Sequence, residues 1–327
     1  MAIANQPSCR LYAILARDGR SAVVFRRGPS KQVQVLRWWL DDDRLEEGQW
    51  LKGRIYERRC DLSPDGELLI YFAAKWTGPF QTWTAVSRPP YLSALALWPK
   101  GDAWGGGGLF MSSKTIGLNH LTVQNPISPG AVQSRASWHP LDAHPAKSQK
   151  NSKPAPLEVS LAKNYVARRW HDDYAGRGED DPVHAHRIGR DGWTFVAAGD
   201  PGPHTNGSVA WDFRTPEIYE RASPSGSLRL RRMLKAIYRK NGRWYVEDFE
   251  VATRDGAILR VLVDCDWADW QANGDLLFAI DGCLYRLKRE DVAQQASDPL
   301  SNARLIADIG SNAFKMVAAP AWALEWP

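Results

Sequence analysis

Short apolar runs separated by polar turns are the main pattern along this chain. Five clear runs of this form occur, at Leu11–Ala16, Ser21–Phe25, Leu68–Ala74, Leu276–Ile280 and Cys283–Leu287. Runs of this length that are bounded by Gly, Asn, Asp or Pro are typical of antiparallel β-strands, whereas helices need longer stretches of helical period. Helix signals are sparse, so the pattern predicts an all-β chain.

Glycines preceded by aspartate or asparagine lie between these runs. Asp-Gly occurs at 18–19, 65–66, 191–192, 255–256 and 281–282, and Asn-Gly at 206–207, 241–242 and 273–274. Both central positions of a two-residue hairpin turn favour positive φ, which Gly, Asn and Asp tolerate best. The pairs therefore predict a succession of two-residue hairpins.

One turn and the strand after it form a faint repeat. Ser63–Ala74 aligns with Gln271–Ile280, and Gly189–Ala198 resembles both. Their turn glycines are separated by 126 and 82 residues, and these glycines are Gly66, Gly192 and Gly274. Both gaps are near multiples of about 42 residues, a typical length for one four-stranded propeller blade.

The same spacing extends to a fourth glycine and fails at a fifth. Gly108 falls 42 residues after Gly66, whereas Ser223-Pro-Ser-Gly226 matches the turn motif but breaks the register. We predict a β-propeller-like fold of antiparallel blades of about 42 residues, with a two-sheet sandwich as the alternative. In a propeller, we expect Leu11–Ala16 to close the ring against C-terminal strands near Lys315–Ala319.

Residues 125–160 interrupt the strand pattern. This stretch holds six prolines and the polar run Lys147–Lys153. Proline removes hydrogen-bond donors and restricts the residue before it, so we expect a long or partly disordered loop. We interpret it as an insertion within a single domain that covers residues 1–327.

Two resemblances support the fold. Ser63-Pro-Asp-Gly66 followed by Leu-Leu-Ile-Tyr-Phe resembles the repeat of TolB-like and WD-type β-propellers. A wider set of segments resembles a family of uncharacterised bacterial proteins, and these segments are Phe25–Lys31, Gly48–Tyr56, Asp61–Gly66, Arg88–Tyr91 and Trp98–Gly105. The resemblance implies a bacterial origin and carries no activity or catalytic residue.

Composition excludes several classes of protein. With 44% hydrophobic and 24% charged residues, the chain is not disordered as a whole. The longest apolar run, Leu68–Ala74, is far shorter than the ~20 residues of a membrane-spanning helix. The four cysteines are scattered and show no zinc spacing, so we expect no metal, no cofactor and a reducing cytoplasm.

Tryptophan is over-represented, with 16 residues. Trp76 and Trp104 lie beside Gly, Pro or Thr at predicted strand ends. Aromatic side chains in such positions can stack on a ligand or anchor an interface, although packing between blades is the competing interpretation. We therefore treat both residues as candidate binding residues.

A basic turn and a histidine cluster supply the other candidates. The turn carries Arg26, Arg27 and Lys31, which could grip a carboxylate or phosphate. The cluster contains His171, His184 and His186; the last two would share one face of a strand, as in metal sites built on sheets. A solvated loop is the preferred interpretation in both cases.

Two further segments invite ligand-binding interpretations. The four-glycine run after Trp104 lacks the lysine of a phosphate-binding loop, and it lets the backbone pass close to a neighbouring strand or to a ligand. The basic stretch Arg229–Lys240 could bind nucleic acid, although a solvated strand pair is the preferred interpretation.

The chain holds no complete catalytic constellation. We therefore expect a non-enzymatic interaction or recognition module with a protein partner, acting in a bacterial multi-protein assembly rather than on nucleic acid or a membrane. The alternative is a hydrolase or lyase that acts on a carbohydrate or other polar substrate at the central opening of the propeller. Fold alone does not choose between them.

Overall fold

Strands make up nearly all of the regular structure. A computed structural model describes residues 9–28, 31–77, 80–121, 123–127, 157–170, 182–202, 211–237 and 244–327. Within these ranges the α-helices are α1 (Val183–Arg190) and α2 (Arg289–Val292). None of the helices described is long and apolar enough to cross a membrane. The prediction of an all-β chain is confirmed.

In the described part of the chain, five sheets follow one another in sequence, and each is built from consecutive strands. Sheet 1 contains β1 (Arg10–Leu15), β2 (Ser21–Arg27), β3 (Gln32–Trp39) and β4 (Arg44–Lys52). Sheet 2 contains β5 (Arg54–Ile55), β6 (Asp61–Leu62), β7 (Leu69–Ala74), β8 (Thr82–Ser87) and β9 (Ala94–Pro99). Sheet 3 contains β10 (Gly108–Phe110), β11 (Thr115–Leu118), β12 (Glu158–Ser160) and β13 (Val166–Arg169).

The last two sheets complete the series. Sheet 4 contains β14 (Trp193–Ala197), β15 (Asp200–Pro201), β16 (Trp211–Ala222), β17 (Leu228–Ile237), β18 (Tyr245–Thr253) and β19 (Ile258–Leu262). Sheet 5 contains β20 (Trp267–Trp270), β21 (Leu276–Ile280), β22 (Cys283–Leu287) and β23 (Arg304–Asp308). Sheets 1, 2 and 5 span 43, 46 and 42 residues (10–52, 54–99 and 267–308), close to the expected 42, whereas sheets 3 and 4 span 62 and 70 residues (108–169 and 193–262).

Among the strand pairs whose register is described, pairing is antiparallel with one exception. In sheet 3, β11 and β13 are parallel, with Thr115 opposite Val166. The proline-rich segment lies between β11 and β12 in the sequence, two strands of this same sheet. Residues 128–156 of the insertion lie outside the described residues. Its described flanks include a bridge between Ile127 and Leu97 and the strand β12.

The chain divides into two compact units, each with its own core. Unit 1 consists of residues 1–12 and 188–312, and unit 2 of residues 13–187 and 313–327. The core of unit 2 includes Ile70, Val86, Trp98 and Phe110, and that of unit 1 includes Leu230, Phe249, Trp270 and Phe278. All six residues of β7 are buried, which explains why its sequence is continuously apolar instead of alternating.

The Asp-Gly turns differ from the two-residue hairpins that the sequence predicts. Among the described pairs, Asp281-Gly282 is such a hairpin, with φ of 50° and 77° and Ile280 paired with Cys283. In the turn Ser63–Leu68 only the glycine has positive φ, and the Ser63 N–H donates to the Leu68 carbonyl over 2.8 Å. Four residues then separate the bonded positions, so the two-residue interpretation is wrong for this turn.

The same longer turn joins strands in three sheets. It occupies Ala16–Ser21, Ser63–Leu68 and Ser223–Leu228, and in each the first N–H donates to the last carbonyl over 2.8 to 3.0 Å. Gly226 is therefore equivalent to Gly66 although it breaks the 42-residue register. The register fails because sheet 4 contains two extra strands, β14 and β15, before β16.

The C-terminal segment does not form the closing strand that we expected. Residues 313–320 have no strand structure and lie along sheet 1 of unit 2. The Gln49 side-chain amide donates to the Val317 carbonyl over 3.0 Å, and Lys315 pairs with Glu47. Farther on, the Trp322 ring lies 4.8 Å from the Arg88 guanidinium. Aromatic and polar side chains, not a β-ladder, hold this segment.

Candidate functional site

One end of sheet 1 brings two lysines together. β2 ends at Arg27, and β3 begins at Gln32, which pairs with Lys52 at the end of β4. The Gly53 N–H donates to the Lys31 carbonyl over 2.8 Å. Antiparallel pairing thus places Lys31 and Lys52 at the same end of sheet 1, although 21 residues separate them in the sequence.

The corresponding end of sheet 2 adds a lysine and two tryptophans. Ala74, the last residue of β7, pairs with Arg54 and with Thr82, so Lys75 and Trp76 follow directly at this end. The Lys100 N–H donates to the Thr82 carbonyl over 2.9 Å. The loop that carries Trp104 therefore leaves the same end. We define the rim as Lys31, Lys52, Lys75, Trp76 and Trp104.

Side-chain and backbone hydrogen bonds hold the Trp104 loop in place. The Asp102 carboxylate accepts from the Trp104 N–H over 2.8 Å, and the Thr82 hydroxyl donates to the Asp102 carbonyl over 2.5 Å. The Arg59 guanidinium donates to the Ala103 and Gly105 carbonyls over 2.7 Å each. The Trp104 side chain is nevertheless 71% exposed. A large apolar ring is thus presented to solvent on an ordered loop.

The glycine run after Trp104 allows this loop to pack closely against its neighbours. Gly105, Gly106 and Gly107 all have positive φ, between 67° and 88°. A Cβ on Gly106 would lie 2.4 Å from the Phe72 ring, and one on Gly107 would lie 2.0 Å from the Arg59 carbonyl oxygen. The expectation that the run lets the backbone approach a neighbour is confirmed, because the contacts are made by strand and turn residues of sheet 2.

Positive charge on the rim is concentrated on its lysines. Lys31, Lys52 and Lys75 are exposed, and no acidic side chain forms an ion pair with any of them in the described part of the chain. The Lys52 ammonium lies 4.3 Å from the Phe314 ring centroid. These three ammonium groups are therefore available to an anionic ligand.

Other cations at this end are engaged internally. Arg27 pairs with Glu57 over 2.5 Å, and Lys100 pairs with Asp102 over 2.8 Å. Burial alone would raise the pKa of Glu57, but the charges of Arg27 and Arg54 help to bring that pKa below its usual value. Burial lowers the pKa of Lys100, and Asp102 opposes that shift without cancelling it.

The predicted basic tip is only partly correct. Arg26 is buried, donates to the Gly28 carbonyl and lies 5.3 Å from the Trp50 ring centroid. Arg27 is bound by Glu57, so only Lys31 of the three candidates is an exposed cation. A strand residue that points inward buries its side chain, which the local sequence does not reveal.

The histidine hypothesis needs correction. His184 and His186 belong to helix α1, where residues two apart are rotated by about 200° around the helix axis and so point to nearly opposite sides. His184 is buried, whereas His186 is exposed and contacts the Trp170 ring edge-on at 4.8 Å. His171 lies outside the described residues. In the described ranges no group of three metal-ligating side chains comes together.

The basic stretch of sheet 4 is largely neutralised by acidic neighbours. Glu220 pairs with both Arg229 and Arg231 over 3.0 Å, and Asp248 pairs with Lys235 over 2.8 Å. Residues 239 and 240 lie outside the described ranges. The interpretation as an ion-paired strand face fits better than a free anion-binding surface.

Sequence reasoning missed two members of the rim, Lys52 and Lys75. Lys52 is the last residue of β4 and is followed by Gly53. Lys75 comes directly after β7 and is followed by Trp76. A lysine at successive strand ends is a usable signal, but only the pairing of the strands shows that these ends are neighbours.

Comparisons with known proteins add little. No protein-family model matches the chain, and neither does any curated protein. The chain is similar to the hydrazine synthase of Kuenenia stuttgartiensis, at 11% identity over 88% of this chain and 79% of that one, with a TM-score of 0.32. An oligogalacturonate lyase in complex with manganese shares 13% identity over 90% and 78%, with a TM-score of 0.28. A prolyl endopeptidase shares 9% over 91% and 42%, with a TM-score of 0.29.

Propeller-type folds recur among these structures. Their identities and TM-scores are too low to carry an argument about this chain. The propeller-like description therefore rests on the five sheets of consecutive strands, and within the described residues no closed ring is detected.

Proposed function

We propose that this chain is a non-enzymatic recognition module that binds a protein partner through the rim, as part of a larger bacterial assembly. Its five sheets would be the blades of a propeller-like arrangement. The observation that carries the proposal is the 71% exposed Trp104 on a loop held by Arg59, Thr82 and Asp102.

Trp104 is suitable as an anchor because its loop is already ordered before a partner binds. Tryptophan is enriched among the residues that dominate interface energies. A side chain on an already ordered loop loses less conformational entropy on binding than one on a mobile loop. Trp76, 49% exposed at the same end of the sheet, would provide a second contact.

The enzymatic alternative has less support in the described residues. A hydrolase or lyase built on His184 and His186 needs both rings at one site, but α1 directs them to different surroundings. A binding module needs only the exposed side chains of the rim, so this hypothesis requires fewer further assumptions than an enzyme does.

A comparison of single tryptophan variants tests the proposal. Tagged wild type and Trp104→Ala would be recovered from a lysate of the source cells, with Trp322→Ala as the control because Trp322 is 42% exposed but lies outside the rim. We expect one stoichiometric protein with wild type and the control, and an at least tenfold lower yield of it with Trp104→Ala. Equal recovery by all three proteins, or equal loss in both variants, would contradict the proposal.

A further inference from the structure

We infer that the rim recognises a two-part protein segment, in which an acidic run binds the lysines and an apolar anchor binds the tryptophans. The inference rests on the proposed function and names the partner's chemistry. Lys31 and Lys52 come from sheet 1 and Trp104 comes from sheet 2, and the two kinds of side chain meet where Lys75 and Trp76 follow β7.

Charge differs between the two ends of sheet 1. The rim end carries the exposed Lys31 and Lys52, whereas the other end carries Asp41–Asp43 and two aspartate–arginine ion pairs, Asp18 with Arg20 and Asp42 with Arg44. An acidic segment is therefore attracted to the rim end more than to the other. Such complementarity sets the orientation and the association rate of a partner more than it sets the final affinity.

A protein segment fits the rim better than a nucleic acid. Phosphate recognition favours arginine, whose planar fork binds two oxygens, but Arg26, Arg27 and Arg59 are engaged by carbonyls or by Glu57. Proteins that bind single-stranded nucleic acids also distribute aromatic rings along a basic groove, where the bases stack on them. Here the lysines begin on sheet 1 and the tryptophans end on sheet 2, with Lys75 and Trp76 adjacent between them, an order that matches a segment with an acidic part followed by an apolar part.

The strand geometry gives the scale of the apolar half. The ends of β7 and β9 are two strand spacings apart, about 10 Å, because β8 lies between them. About three residues of extended chain cover this distance. A short apolar cluster could thus contact both tryptophans.

Two peptides of identical composition test the order of these parts. Both would be fluorescein-labelled 16-mers of Leu, Phe, Ser, Asp and Glu; in the first the apolar and acidic residues form separate blocks, and in the second they alternate. Fluorescence anisotropy with the full chain should show at least tenfold tighter binding of the block peptide. Equal affinities, or no binding of either peptide, would overturn the inference.

Variants and a nucleic acid complete the test. Lys31→Gln, Lys52→Gln and Lys75→Gln combined should lower the affinity of the block peptide about tenfold and flatten its salt dependence, while Trp104→Ala should lower it without changing the salt dependence. Tighter binding of a dT16 oligonucleotide than of the block peptide would also overturn the inference.

Two results with the cellular partner distinguish a failure of the inferred chemistry from a failure of the proposed function. If the cellular partner depends on Trp104 but is unaffected by the triple lysine variant, the rim is the binding surface and the acidic chemistry is wrong. If the partner is unaffected by either change, the proposed function itself is wrong.

Discussion

Buried arginines act as clamps on loop carbonyls in this protein. Arg59, Arg187 and Arg260 each donate to two or three backbone carbonyl groups of a neighbouring turn or loop. A guanidinium carries five donors in a fixed plane, so one side chain can satisfy several carbonyls that would otherwise be buried without a partner. Arg59 has a functional consequence, because its clamp orders the loop that presents Trp104.

Replacing Gly107 should test how strictly this loop depends on close packing. Gly107→Ala puts a methyl group 2.0 Å from the Arg59 carbonyl oxygen at a φ of 75°, so we expect a loss of at least about 3 kcal/mol in the free energy of unfolding. Gly226→Ala is the matched control, because its φ is 74° and nothing lies within 4 Å of the added atom. It should cost only about 1 kcal/mol.

Urea unfolding followed by tryptophan fluorescence measures both variants. Equal losses would show that the left-handed backbone alone, and not the contact with Arg59, determines the cost.

At the scale of the elements, an acidic residue after the turn glycine links a turn to a strand. Glu67 follows Gly66 and pairs with Arg37 of β3 over 2.9 Å. Asp275 follows Gly274 and pairs with Arg286 of β22 over 2.8 Å. Two of the three segments of the repeat therefore share an ion pair as well as a turn, whereas the third has Trp193 after Gly192.

The Asp275 pair should make stability depend on pH. Burial would raise the pKa of Asp275, but hydrogen bonds from Arg286, the Arg289 N–H and Asn273 outweigh burial and lower it. A lowered folded-state pKa stabilises the fold above the unfolded-state pKa of about 4, and this contribution is lost as pH falls through the folded-state value. We expect Asp275→Asn to cost about 3 kcal/mol at neutral pH and much less in acid.

Urea unfolding at pH 7 and near pH 3 would measure this difference. The exposed Asp42→Asn is the control, and it should change stability by less than about 1 kcal/mol at neutral pH. An Asp275→Asn cost that stays constant with pH would contradict the assigned role of the carboxylate.

At the scale of the whole molecule, the distribution of charge differs from what the sequence indicates. The densest basic stretch in the sequence, in β17, is paired with Glu220, Glu247 and Asp248. The three rim lysines, which are scattered in the sequence, carry positive charge that no ion pair neutralises in the described part of the chain. Net charge therefore does not identify the surface that an anionic partner would meet.

Two charge-matched double variants test this difference. Lys31→Gln with Lys75→Gln and Arg229→Gln with Arg231→Gln each remove two positive charges. On a heparin column the lysine variant should elute at clearly lower NaCl concentration than wild type, whereas the arginine variant should elute close to wild type, because its guanidinium groups already bind Glu220. The reverse order of elution would assign the anion-binding surface to β17.

Prediction from sequence succeeds here where the physics is local. Strands and turns form through interactions between residues a few positions apart. The sequence therefore predicts the strands, the recurrence of the turn around Gly66 and the close approach at the glycine run. Prediction fails for Arg26, because contacts across sheet 1 bury a side chain that points inward from β2. It fails for His184 and His186 for a local reason, because the segment Val183–Arg190 is a helix and not a strand.

The sequence by itself therefore determined the all-β class, the strand-by-strand organisation and the tryptophans available as anchors. Tertiary structure decided which strand ends are neighbours, and so which lysines accompany those tryptophans on the rim. It also decided which cations are neutralised, because an ion pair forms only when pairing and packing bring opposite charges within a few ångströms. Local patterns carry the first kind of information, whereas contacts between residues far apart in the chain carry the second.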